Sequence, residues 1–207
     1  MKAVASAVGL FLAMASGGTM AADPAPYAFG PLRLGMALED FRQATPTTAD
    51  QKIFCTGDKA DPQIEMPQVF PLTPEMAAAG AVRCAFFGRE ADGKMRPLQA
   101  DLADVPATFW ALFFSEGKGS PHRLVQINLW IPTPAYGGVV DLFRSRYGFP
   151  VTQHAKATIW DNGPSEIVAS FEDPTDASAP IFFIHKALQQ TFAKRVAPPK
   201  DSKPKKK

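Results

Sequence analysis

Residues 123–150 read RLVQINLWIPTPAYGGVVDLFRSRYGFP, a strand followed directly by a helix, and the fold class turns on how the two meet. From Arg123 to Ile131, apolar Val125, Ile127, Leu129 and Ile131 alternate with Gln126, Asn128 and Trp130. A period of two marks a strand with one buried face and one partly polar face. Thr133 then stands where a helix N-cap belongs, and Pro134 takes the first helical position, where a missing N–H is harmless. Tyr136, Val139, Val140, Phe143 and Tyr147 fall on one helical stripe, and Gly148 with Pro150 ends the helix. A helix with such a stripe, placed after a one-sided strand, has to lay that stripe on the sheet.

Working outward, Ala107 to Phe114 reads as a partner strand, joined to the first by the turn-rich SEGKGSPH at 115–122. Downstream, Thr152 to Trp160, Glu166 to Phe171 and Ile181 to Lys186 read as three more strands, with DNGP (161–164) and DPTDAS (173–178) as turns. Upstream, an extended piece lies near Lys52 to Cys55, Thr73-Pro74-Glu75 starts a helix that Gly80 ends, and Val82 to Phe87 is a strand. Residues 46–72 are rich in Pro and polar residues and show no periodicity. Strands joined by short turns pair antiparallel. The expected fold is therefore α+β and two-layer: an antiparallel sheet of five to seven strands with two or three helices packed on one face.

The first residues, MKAVASAVGLFLAMASGGTMAADPAP, have Lys2, an apolar stretch from Ala3 to about Ser16 and small residues at Ala21 and Ala22. This is the pattern of a secretory signal peptide spanning 1–22, cleaved after Ala21 or Ala22. The chain is thus expected in the periplasm, with full secretion as the alternative, and no mature segment is long and apolar enough for a transmembrane helix. About 185 residues remain, and 23–193 reads as a single α+β domain whose core draws on the 16 Phe. Cys55 and Cys84 are the only cysteines, and in an oxidising compartment the pair reads as one disulfide. A metal pair is the rival reading, although neither Cys has a second ligand at short spacing.

From Lys194 the chain reads KRVAPPKDSKPKKK, a net +6; subtracting that and the charge of Lys2 from the overall +2 leaves the rest at −5. Residues 194–207 are expected to be a disordered basic tail. Lys203, Lys205, Lys206 and Lys207 suit either a solvated tail or electrostatic attachment to an anionic envelope surface. The leader carries the chain away from nucleic acid, so no nucleic-acid partner is expected.

A further segment, FGPLRLGMALEDFR at 29–42, has an extended run, a glycine and a short helix over about 37–44, with Glu39 and Asp40 in its first turn and Leu38 and Phe41 on one face. LRLGMALEDFR resembles the G-M-[ST]-x-x-E-[VF] opener of small exported α+β modules, the outer-membrane assembly lipoproteins and the β-lactamase-inhibitor-like proteins. VVDLFRSRYGFP followed by Trp160 is similar to a helix, Tyr-Gly-x-Pro and strand passage of uncharacterised proteobacterial periplasmic proteins. Ala37 stands where the opener has Ser or Thr, and no lipobox Cys is present. The resemblance implies a binding or assembly module without catalysis, and it transfers no binding residue.

Motifs for chemistry are sparse. His122, His154 and His185 have no ligand-spaced partners, although His185 by alternation shares a face with Ile181 and Phe183 and is expected to be half-buried. EGKGS at 116–120 lacks the spacing and flanks of a phosphate loop and reads as a hairpin turn. Asp101 with Asp104, and Glu172 with Asp173 and Asp176, lack the spacing of a calcium loop. Trp110, Trp130 and Trp160 all fall in expected strands. Trp130 lies on the face opposite Val125, Ile127 and Leu129: exposed, it would mark a partner-binding patch, and covered, it would be core. No catalytic residue, metal site or cofactor is assigned. The function expected is a non-enzymatic binding or accessory module for a protein or cell-envelope partner, the alternative being a small hydrolase or metal-dependent enzyme using His154 or His185 with carboxylates.

Overall fold

A computed structural model describes residues 24–44, 50–102, 104–154, 156–171 and 173–197. The segment 1–22 expected to be a signal peptide, and Lys203, Lys205, Lys206 and Lys207, lie outside the described residues. The chain begins with a two-stranded ribbon, β1 (Ala28–Phe29) and β2 (Leu32–Arg33), then α1 (Leu38–Ala44), β3 (Gln51–Cys55), α2 (Pro74–Ala78), β4 (Ala81–Arg89), β5 (Met95–Pro97) and β6 (Gln99–Asp101). The long hairpin β7 (Pro106–Ser115) and β8 (His122–Pro132) follows. After it come a 3₁₀ turn (Thr133–Ala135), α3 (Tyr136–Tyr147), β9 (Thr152–His154), β10 (Ala157–Asp161), β11 (Ser165–Ser170), β12 (Ser178–His185) and α4 (Lys186–Val196).

The class is α+β with an antiparallel sheet, but the sheet is larger than five to seven strands. Ten strands join in the order β3-β4-β7-β8-β12-β11-β10-β9, with β5 added to β4 and β6 to β7. Part of the excess arises because the expected strand 152–160 is a hairpin: Ala157 pairs antiparallel with His154. No Gly or Asn-Gly marks that reversal in TQHAKATIW. The chain leaves β8 through α3, reaches the far edge at β9 and returns strand by strand until β12 pairs with β8. That route draws α3 across one face, where Phe143 meets Trp160 and Phe183 edge to face at 5.8 and 5.7 Å.

Helices cover both faces, contrary to the expected single layer. On the first face, α1 and α3 bury Phe41, Val139, Val140 and Phe143 against Phe113, Ile127, Leu129, Ile181 and Phe183. On the second, α4 places Leu188 and Phe192 on Leu112, Phe114 and Val125, beside α2. The reason lies in β7: Phe113 and Phe114 are adjacent, point to opposite faces, and are both fully buried. An apolar run of that kind needs cover on both sides.

The helix ends also differ from expectation. Thr133 does not cap α3 through its side chain; residues 133–135 form the 3₁₀ turn and α3 begins at Tyr136. Gly148 ends α3 as expected, at φ +82° with its N–H donated to Arg144 O. Thr73 caps α2, accepting from Met76 N–H. The strand expected to run to Lys186 instead turns into α4 at that residue, and Lys194, Arg195 and Val196 form its last turn, so the basic run begins inside a helix.

Segment 29–42 is the corner that seats the N-terminal third. Gly35 N–H donates to Leu124 O, and Leu124 N–H donates to Met36 O, both at 2.8 Å. The segment takes the place beside β8 that β12 vacates on turning into α4. Gly35 has φ +84°, and a Cβ there would sit 3.3 Å from the His185 ring. Both the backbone conformation and the close approach call for glycine.

A candidate interaction face at Trp130

The register of the sheet assigns its second face residue by residue. Successive rungs read Thr108–Trp130–Pro180, Trp110–Asn128–Phe182 and Leu112–Gln126–Ile184 across β7, β8 and β12. Val168 of β11 and Ile159 of β10 continue the second rung outward. A β-bulge between Leu112 and Phe113 creates this arrangement: the register sum changes by one there, with Val125 as the extra residue on β8. A shift of one residue exchanges the faces of a strand. Leu124 thereby enters the first-face core and Val125 the second, so Val125 does not share the face of Ile127 and Leu129. Without the bulge, Trp110 and Trp130 would point to opposite sides of the sheet.

With the bulge they meet. Their rings stack with centroids 4.0 Å apart and planes at 26°, and Phe182 stands at 90° to Trp130, 6.1 Å away. Aromatic contacts of this kind fix ring orientation beyond what burial alone does. Trp110 is buried and carries the Arg83 guanidinium 5.7 Å over its ring. Arg83 in turn donates to the carbonyls of Val69, Phe70 and Pro71, binding that loop to the sheet. Burial holds the Arg83 guanidinium below its ordinary pKa.

Cover on the second face is incomplete. The end at Leu112 and Phe114 lies under α4, and Phe70 packs with Phe54, Phe87 and Trp110. None of Phe182, Ile184, Val168 and Ile159 belongs to a buried cluster, and all four are half-buried; Trp130 is half-buried too and packs against the Phe54, Phe70 and Phe87 cluster. Across β11 and β10 the rung of Ile184 continues as Glu166 and Asp161, and Lys186 Nζ reaches Asp161 Oδ2 at 2.8 Å, so this edge of the area is charged. Hydrogen bonding to Lys186, then to Gly163 N–H, holds the Asp161 carboxyl below the usual carboxylate range. Gln126 donates to Asn128 Oδ1 at 2.7 Å in the middle of the area. Beside Trp130 the face deepens into a cleft of about 490 Å³ reaching to Val69, which is 60 % exposed.

Cys55 and Cys84 are direct cross-strand partners on β3 and β4, fully buried and joined as a disulfide. The histidines are not brought together. His122 Nε2 lies 3.1 Å from Gly80 O, His154 is exposed on β9, and His185 caps α4 through Nδ1 with a long bond from Leu188 N–H. Burial keeps the His185 imidazole below its ordinary pKa and so favours the neutral form that can accept this bond. Among the described residues, no group of three His, Cys, Asp or Glu side chains is placed to hold a metal ion. Asp101 and Asp173 instead accept from the backbone N–H groups of nearby residues in their own turns. Residues 116–120 form the β7–β8 hairpin turn, with Ser120 N–H donating to Gly117 O.

The sequence pointed to Trp130 but missed Trp110 and Phe182 as its neighbours. Counting back from the hairpin turn would have paired Trp110 with Ile127, on the wrong face, because nothing in the sequence marks the bulge. Compared with protein-family models, curated proteins and solved structures, the chain matches none of them.

Proposed function

We propose that this chain is an exported, periplasmic binding module without catalysis of its own, and that it engages a protein or envelope partner through the sheet face around Trp130. The observation that carries this reading is a row of half-buried apolar side chains on the second sheet face that belongs to none of the buried clusters. Phe182, Ile184, Val168 and Ile159 lie side by side there with Trp130 at one end. Contiguous apolar side chains that water still reaches, with an aromatic anchor, are what contact surfaces are made of. Lys203, Lys205, Lys206 and Lys207 add attraction to anionic surfaces.

A photo-crosslinking residue tests this in intact cells. Placed at Val168, on the face, it is expected to give a discrete adduct that Trp130→Ala removes. Placed at Gln43, on the exposed side of α1, it should give none. No adduct from Val168, or equal adducts from both positions, would contradict the reading.

A further inference from the structure

The loop from α3 to β9 presents apolar side chains to water while its backbone is held in place. Phe149 is 86 % exposed and Val151 64 %, and the two flank Pro150. On one side of Phe149, Gly148 O accepts from Trp160 Nε1–H at 2.9 Å. On the other, Val151 N–H donates to Ile159 O at 2.8 Å. Trp160 is buried beneath α3, so these bonds tie the loop to the core and hold Phe149 in its exposed position.

The same bonds settle most of the polar backbone at the tip. Gly148 N–H donates to Arg144 O, Val151 N–H is paired with Ile159 O, and Pro150 has no N–H. Three of the four residues from Gly148 to Val151 thus bring no unpaired donor to a dry environment, where such a donor is costly.

The charge around the tip has one sign. From Arg144 to Lys156 the chain has three basic residues and no acidic one, although the chain apart from Lys2 and the tail carries −5. Arg144 is engaged by Asp141 and Gln153. Arg146, in the last turn of α3, is exposed, with its guanidinium 5.5 Å from the Tyr147 ring centroid. Among the described residues no carboxylate pairs with it. Asp161, the next acid along the chain, is already held by Lys186.

An apolar tip with a cation beside it matches the headgroup layer of an anionic bilayer, which offers acyl chains to the one and phosphates to the other. A protein partner matches less well. The tip stands at the sheet's edge, since β9 is last in the strand order. A Phe and a Val cover far less than the roughly 800 Å² that each side of a stable protein interface buries. A fluid lipid surface needs no matching relief.

We infer that the α3–β9 loop inserts Phe149 and Val151 into the headgroup region of an anionic phospholipid bilayer, with Arg146 on the phosphates. This contact is separate from the face around Trp130. The test is flotation of the purified chain with phosphatidylglycerol–phosphatidylcholine vesicles. Phe149→Ala is expected to weaken binding about tenfold, and Arg146→Gln about fivefold at 0.1 M salt. The basic tail also favours such vesicles, so insertion is read separately: brominated lipid should quench Phe149→Trp more strongly than the unsubstituted chain. Equal binding by the unsubstituted chain and Phe149→Ala would overturn the inference, as would equal quenching. Equal binding with a dimer that Phe149→Ala dissolves would assign the tip to a second copy instead. The Val168 crosslink is expected to survive Phe149→Ala, so the two contacts stand or fall independently.

Discussion

Phe183→Ala is expected to destabilise the chain by about 3 to 5 kcal/mol, the range for removing a large aromatic side chain from a packed core. Phe183 is fully buried on β12, between Ile127 of β8 and Ile167 of β11. Its ring lies 5.8 Å from Phe29, 5.7 Å from Phe143 and 6.2 Å from Tyr147. It therefore joins the N-terminal ribbon, α3 and the centre of the sheet, and neighbours held from three directions cannot collapse into the space it leaves. The check is urea unfolding, with a lower midpoint and little change in slope. Phe149→Ala is the control, since Phe149 is 86 % exposed and its loss should move stability by less than about 0.5 kcal/mol. Similar effects from the two variants would contradict the packing described for β12.

Loss of the disulfide should have an effect of comparable size. Cys55 and Cys84 are 29 residues apart, and closing a loop of that length restricts the unfolded chain by about 3 to 4 kcal/mol in the chain-entropy model. The position adds to the consequence, because β3 lies at one end of the strand order and has β4 as its neighbour. The closed loop includes Phe70, which packs on Phe54 and Phe87, and the carbonyls held by Arg83. The double variant Cys55→Ala/Cys84→Ala is expected to lose that much unfolding free energy, seen as a lower urea midpoint, and to ignore added dithiothreitol. The unsubstituted chain should lose the same stability when reduced. A chain whose midpoint is unaffected by reductant would contradict the assignment.

These effects show which parts of the fold were open to reading from residues. The alternation in β8 from Gln126 to Ile131, the stripe and Gly148 stop of α3, and the Thr73 cap of α2 are local signals, and the structure follows them. Two-sided burial was present in the adjacent Phe113 and Phe114 but was outweighed by the alternation in β8. α4 was missed because Leu188 and Phe192 alone mark its buried side and its cap is His185 in place of Ser, Thr, Asp or Asn. The bulge at Val125 could not be read at all: Leu124 and Val125 are both apolar, and only tertiary packing decides which core each one enters. That ambiguity hid the site, since the bulge is what places Trp110 beside Trp130. The disulfide was legible because the chain has only one pair of cysteines to join.

On the proposed function, the face around Trp130 is reachable by solvent in the free chain and occupied by a partner in the cell. Hydroxyl-radical footprinting reads both states from one side chain. In the purified chain Trp130 should oxidise readily while Trp160, 1 % exposed beneath α3, stays intact. In intact cells Trp130 is expected to be protected, with Trp160 unchanged. Equal oxidation of Trp130 in the two settings would contradict the account.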